Sequence, residues 1–194
     1  MIKIENLTKV YVHKPIFEHF HIEFSAQKVC LEAPNGLGKS TLFSIIAGID
    51  RAYNGAVYYD GERLKTPQYK VALASDNIEF PAFLTAKQLL TMTQQSWQCP
   101  FPEQLSELLG FTPFLDTTFS ALSSGNQKKL QLINALMRQT PYVILDEPSA
   151  ALDHQSTVHL IEFLKGYQGQ ILISCHEPRP FFEMGFVPQP LFVS

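Results

Sequence analysis

"LEAPNGLGKST", residues 31–41, joins an apolar run to a helix through a loop of small residues. Lys28 to Ala33 (KVCLEA) reads as a buried strand. Ser40 to Ala47 (STLFSIIA) reads as a short apolar helix that Gly48 stops, a residue suited to the position after a helix end. Between them lie Pro34, Asn35, Gly36, Leu37, Gly38 and Lys39. Strand, glycine loop, helix is the setting of a phosphate-binding loop. Glycines let backbone N–H groups turn toward one point. The helix N-terminus adds partial positive charge there. Lys39 can then reach the outer phosphates of a nucleotide, and the Ser40 hydroxyl can ligate Mg²⁺. Ala33 stands where the usual pattern, G-x-x-x-x-G-K-[ST], has its first glycine. Taken alone, the segment can also be a plain strand–turn–helix with an exposed lysine.

A second stretch, "YVILDEPSAALD" at 142–153, ends an apolar strand in Asp146-Glu147. An acid at the C-terminal end of a buried parallel strand sits where α/β sheets bind ligands. Asp146 is placed to hold Mg²⁺, directly or through water, and Glu147 to polarise a water for attack on a phosphate. A third, "LSSGNQKKLQLINALMRQ" at 122–139, sets Ser-Ser-Gly-Asn before a helix whose Leu130, Ile133, Leu136 and Met137 share a face. That helix N-terminus is a second anion site without a lysine, and also an ordinary capped helix.

The 194 residues suffice for one good core with a small appended subdomain. A net charge of −3 without a basic tract gives no support to nucleic-acid binding. The cysteines, Cys30, Cys99 and Cys175, have no metal-like spacing, and their odd number argues against a disulfide framework. Cys30 and Cys175 read as reduced core residues of a cytosolic protein. The N-terminal MIKIENLTKV lacks the apolar region of a signal peptide. No stretch reaches the roughly 18 apolar residues of a membrane span, so work at a membrane requires a partner.

Ile2 to Leu7 and Ile16 to Phe24 alternate as strands, and Ala56 to Tyr59 reads as an edge strand between the turn signals Asn54-Gly55 and Asp60-Gly61. The first third is therefore expected to be rich in antiparallel pairing, with the glycine loop embedded in it. Val71 to Ser75 is a short buried strand. Thr85 to Trp97 and Glu103 to Leu109 are helices of a candidate helical subdomain, about 80–122. Tyr142 to Leu145, a helix over Gln155 to Lys165, and Ile171 to Ser174 form a βαβ unit. In the proline-bearing tail from Pro178, only Leu191 to Val193 suits a strand.

In this order the motifs resemble the ATP-binding subunit of an ABC (ATP-binding cassette) transporter, over nearly the whole chain. Residues 33–41 resemble the Walker A loop, which implies nucleotide contacts from Asn35, Gly36, Leu37, Gly38, Lys39, Ser40 and Thr41. Tyr11 resembles the aromatic residue that stacks on adenine. Residues 122–126 (LSSGN) resemble the LSGGQ signature, Asp146 and Glu147 the Walker B pair, Ser149 to Asp153 the D-loop, and His176 the switch histidine. The resemblance implies a P-loop NTPase core of α/β class, a mixed sheet with flanking helices. An antiparallel β subdomain and a small helical subdomain complete the expected single domain, with 1–79 and 123–194 as the core. It implies ATP and Mg²⁺ as cofactors, with Lys39, Glu147 and His176 as catalytic residues. It also implies a head-to-tail pair of cassettes in which Ser123 and Gly125 of one subunit face the ATP of the other. The partners are then a second cassette and a separate transmembrane permease at the cytoplasmic face of the cell membrane.

The sequence departs from the family at Ala33, at Ser124 and Asn126 of the signature, and after Val71–Ala74, where a glutamine is usual. Asp76 or Asn77 fills that position. Asp76 is a further candidate metal ligand, at a cost in charge near the phosphates, and Asn77 offers a carbonyl on a shorter arm. The short stretch after His176 resembles compact export-type cassettes. Two alternatives stand beside the transport ATPase: a nucleotide-gated module of low turnover, and a non-transport relative acting on DNA or ribosomes.

Overall fold

The computed structural model describes residues 1–12 and 14–192. Strands β1 (Ile2–Tyr11), β2 (Lys14–Phe24) and β4 (Asn54–Tyr59) form an antiparallel sheet in the order β2-β1-β4. Strands β3 (Lys28–Glu32), β5 (Val71–Ala74), β6 (Tyr142–Asp146), β7 (Gln170–Ser174) and β8 (Val187–Pro190) form a wholly parallel sheet in the order β5-β6-β7-β3-β8. The glycine loop follows β3, so it belongs to the parallel sheet and not to the antiparallel one. The sequence places the antiparallel strands and β3 side by side along the chain; the structure sorts them into two sheets.

Both faces of the parallel sheet are covered at its inner strands, which is why β5, β6, β7 and the middle of β3 read as apolar runs. Alternating residues divide between two cores. Cys30, Ala72, Val143, Leu145, Ile171 and Ile173 pack with helices α2 (Ala86–Trp97), α3 (Glu103–Leu108), α4 (Ser124–Leu136) and α5 (His154–Lys165). Val29, Leu31, Val71, Ile144 and Leu172 pack with α1 (Lys39–Ile46) and the inner face of the antiparallel sheet. A last helix, α6 (Arg179–Phe182), seats Phe181 in the first core.

Local chemistry sets the helix starts. Thr85 caps α2 through a reciprocal box with Gln88, Ser123 caps α4 by accepting from the Asn126 N–H, and Asp153 caps α5 by accepting from the Ser156 N–H.

Two differences from the expectations have clear causes. β1 runs on to Tyr11 and β2 begins at Lys14, beyond the expected bounds, because bulges interrupt their alternation. Pairing shifts between Ile4 and Leu7 and again between Leu7 and Lys9, with Asn6 and His19 at positive φ. The edge strand of the parallel sheet is Val187–Pro190, not Leu191–Val193. Leu191 and Phe192 lie in a bend, and Val193 is outside the described residues. Leu191 donates its N–H to the Glu32 carbonyl at 2.8 Å. By alternation Gln189 and Val187 face β3 too, and Pro188 and Pro190 have their missing donors on the open side.

No helix of the described residues is long and apolar enough to cross a membrane.

Candidate functional site

The loop between β3 and α1 closes over Gly38, the residue before the helix, at φ +94°. A Cβ there would lie 2.7 Å from Ile16 Cγ2 and 2.9 Å from Phe17 Cζ, so β2 packs directly against the loop and only glycine fits. Ala33 is not among the residues at positive φ, and its methyl packs against the second core. The first glycine of the usual pattern is therefore not needed for backbone conformation here. The Lys39 ammonium folds back over the loop and donates to the carbonyls of Ala33 at 2.5 Å and Pro34 at 3.3 Å.

A cleft of about 320 Å³ opens at the loop. Asn35, Gly36, Gly38, Lys39, Ser40 and Thr41 line one side, and Asp146, Glu147 and His176 the other. Leu37 points away into a neighbouring cleft that also reaches Lys39 and His176. Strand order explains the meeting: β6 and β7 end at the same level as β3, and their C-terminal residues crown the sheet.

Asp146 is only 7 % exposed. Its carboxylate is held by two hydroxyls from either side: Ser174 Oγ, at the end of β7, donates to Oδ1 at 2.6 Å, and Ser75 Oγ, just past β5, donates to Oδ2 at 3.0 Å. Ser174 Oγ in turn accepts from the Glu147 N–H at 3.1 Å. Glu147 has φ +49°, a conformation uncommon for a residue with a side chain, and its carboxylate turns toward His176. The His176 N–H donates to Glu147 Oε2 at 3.1 Å, whereas the imidazole Nε2 stays 3.7 Å from Oε1, beyond hydrogen-bond length. The buried Asp146 carboxylate and the half-buried Ser40 hydroxyl lie in one cleft, and such oxygens are the donor set that a hard divalent cation takes.

A second cleft, of about 660 Å³, shares Ser40 and Thr41 and extends to Tyr11, Ser44, Asp50 and Asn77. Tyr11 donates its hydroxyl to Asp50 Oδ2 at 2.8 Å, and the Lys9 ammonium lies 4.5 Å from its ring centre. Lys9 is itself buried and paired with Asp50 at 2.7 Å. Burial first, then the Asp50 carboxylate, push the Tyr11 phenol above its ordinary value, so the phenol stays a donor. One ring face is thus occupied by a cation and the orientation is fixed by Asp50. Tyr11→Ala is expected to weaken ATP and GTP binding alike, about three- to tenfold, by loss of ring contact. Tyr11→Phe should weaken both by less, through looser orientation alone. Equal affinities in all three proteins, measured by titration, would remove Tyr11 from the site.

Ser123 and Gly125 do not line either cleft. Ser123 is exposed at the start of α4. A Cβ on Gly125 would lie 2.7 Å from the Ala151 carbonyl oxygen, so the signature segment packs on the D-loop of its own chain. Lys129 repeats that link by pairing with Asp153 at 3.2 Å. Hydrogen bonds from the Ser156 backbone and hydroxyl, with Lys129 beside them, hold the Asp153 carboxyl well below the usual range.

Asp76 and Asn77 part company. Asn77 lines the Ser40–Thr41 cleft, whereas the Asp76 carboxylate pairs with Lys128 at 3.0 Å and lines a different cleft, with Ser124 and Gln131. Sequence reasoning missed Ser75, Ser174, Asp50 and Lys128. The serines carried a usable signal: each ends an apolar strand of the same length class as the one that ends in Asp146.

Residues 21–150 match the ABC transporter family. The hemin import ATP-binding protein of Rhodococcus jostii is 30% identical over 177 residues, spanning 82% of this chain and 60% of that protein. The thiamine import ATP-binding protein of Photorhabdus laumondii is 30% identical over 162 residues, spanning 79% of this chain and 68% of that protein. A solved dimeric ATP-binding cassette in a post-hydrolysis state, bound to ADP and Pi, superposes with a TM-score of 0.77 at 20% identity, covering 93% of this chain and 90% of that one. With the loop, the strand-end acids and the fold all in agreement with that match, the chain belongs to the ABC transporter family.

Proposed function

We propose that the chain binds Mg-ATP at the Lys39 cleft, hydrolyses it between two head-to-tail cassettes, and so drives a separate membrane permease at the cytoplasmic face of the membrane. The observation that carries this reading is the convergence of Lys39, Ser40, Asp146, Glu147 and His176 on one cleft. The ATP-binding import proteins among the relatives support the link to transport. Which cargo moves, and in which direction, belongs to the permease.

The residues divide the work. Lys39 exchanges the Ala33 and Pro34 carbonyls for phosphate oxygens, and the loop N–H groups and α1 N-terminus hold the rest of the phosphate chain. Ser40 and Asp146 would hold Mg²⁺, which supplies charge neutralisation at the phosphates. Asn77, which lines the cleft that shares Ser40, would be the member of the 76–77 pair on the ion's side. Glu147 accepts the proton of the attacking water, and the His176 N–H fixes which carboxylate oxygen stays free. Positioning and charge stabilisation are most of what phosphoryl transfer needs from a protein. Ser123 and Gly125 would complete the site of the opposite subunit, which makes turnover depend on closure.

Lys39→Ala tests the assignment. Loss of a charge-assisted contact to the phosphates should weaken Mg-ATP binding by about ten- to a hundredfold. A calorimetric titration with near-normal affinity would mean the nucleotide binds elsewhere.

A further inference from the structure

Lys128 sits on α4, one turn after Ser124, and is 2 % exposed. An ammonium this deep needs partners. It has two, from different elements: Asp76 Oδ1 at 3.0 Å and the Asp146 backbone carbonyl at 2.9 Å. The second of these is the residue whose carboxylate faces the Lys39 cleft. Its neighbours extend the connection. Ser75 Oγ donates to the Asp146 carboxylate, and the Asn77 N–H donates back to Ser75 Oγ at 3.4 Å. Three consecutive residues therefore have three tasks. Ser75 holds the strand-end acid, Asp76 meets Lys128, and Asn77 faces the Ser40 cleft.

This arrangement answers the charge problem that Asp76 poses. Asp76 lines a separate cleft, but it is adjacent in sequence to Asn77, which lines the Ser40–Thr41 cleft, and a carboxylate one residue from an anion cleft opposes anion binding unless a cation neutralises it. We infer that Lys128 is a positioning residue of this ATPase, which neutralises Asp76 and ties both the 75–77 segment and the signature helix α4 to the strand end that carries Asp146 and Glu147. The inference rests on the nucleotide reading above. Helix α4 cannot rotate against β6 without parting Lys128 from one of its partners, so the order of the signature helix and of the acids is shared.

A charge cycle on the purified chain tests it, with ATP affinity measured by titration with and without Mg²⁺, and kcat at saturating ATP. The pair is neutral in the wild type. Lys128→Gln leaves a bare carboxylate and should weaken ATP binding roughly three- to tenfold, with a fall in kcat from the lost tether. Asp76→Asn leaves a bare ammonium and should tighten binding roughly threefold. The double variant is neutral again and should return to within about twofold of wild-type affinity, while kcat stays low. The two single variants must move affinity in opposite directions. A Lys128 that only fills the core would weaken binding in every variant and would show no recovery in the double. Asp76 is mostly exposed, so Asp76→Asn keeps the fold, and weaker ATP binding in that variant overturns the inference even if Lys128→Gln does not fold. A wild-type chain that binds no ATP overturns this inference and the nucleotide reading together. A wild type that binds, with both single variants shifted the same way, overturns the role of Lys128 alone.

Discussion

Glu147→Gln is expected to bind Mg-ATP as tightly as the wild type and to hydrolyse it about 10²- to 10³-fold more slowly, the range a positioned general base contributes. The geometry makes this a narrow change. The Glu147 backbone N–H bonds to Ser174 Oγ, and one side-chain oxygen accepts from the His176 N–H. A glutamine keeps both contacts, because its carbonyl oxygen can take the place of Oε2. What it loses is the second oxygen's ability to take a proton from water, since an amide nitrogen there donates instead. Lys39, Ser40 and Asp146 are untouched, so the nucleotide remains bound. ATP held without turnover should trap the closed pair of subunits, and size-exclusion chromatography should show a dimer that appears with Mg-ATP and not with Mg-ADP. Wild-type turnover in this variant would exclude Glu147 as the base and shift attention to His176, which also lines the cleft.

Much of this site was legible from the chain because its parts are local. A glycine loop between a strand and a helix declares itself within eleven residues, and an acid pair closing an apolar run declares its position on a sheet. The unread parts are all relations between segments. Ser174 lies beside Asp146 because β7 pairs with β6 in one particular register, and Ser75 follows the last β5 residue paired with β6. Neither fact can be taken from one strand alone. Asp76 and Asn77 are adjacent in sequence yet face different clefts, and only the buried Lys128 on a distant helix decides which goes where. Tyr11 was expected to stack on the base, but its orientation depends on Asp50, in the loop before β4, and on Lys9 two residues earlier on the same strand. The bulges in β1 and β2 hid the length of those strands, since alternation is the signal and a bulge inverts it. The prolines of β8 misled for a related reason. Proline argues against a strand only where both sides are paired, and an edge has one side free.

Ser123→Asp is expected to leave nucleotide binding by the isolated subunit intact while abolishing ATP-driven dimerisation and most hydrolysis. The structure favours this substitution over one at Gly125. Any side chain at Gly125 would meet the Ala151 carbonyl of the same chain, and a loss of activity would then report a displaced D-loop as readily as a damaged partner site. Ser123 is free of that confusion. It is exposed, and among the described residues its side chain makes one hydrogen bond, the cap, in which Oγ accepts from the Asn126 N–H at 3.3 Å. Aspartate is as good a cap as serine and suits the positive end of the helix, so α4 should form as well or better. The new charge therefore acts on whatever approaches from outside. If that is the terminal phosphate of ATP held by the opposite subunit, like-charge repulsion in a closing, water-poor site opposes the dimer, and hydrolysis should fall by about 10²-fold or more. Affinity for ATP at low protein concentration should remain within about twofold of wild type, because Ser123 lines neither of the clefts that Lys39 lines. Mixing subunits sharpens the test. A Lys39→Ala chain and a Ser123→Asp chain together can form one site damaged on both sides and one built wholly from intact parts. If one intact site suffices for turnover, the mixture should hydrolyse ATP faster than either variant alone. The single variant decides the matter. Normal hydrolysis by Ser123→Asp with its partners present would reduce residues 122–126 to a helix cap, and the shared site would have to be abandoned for this chain.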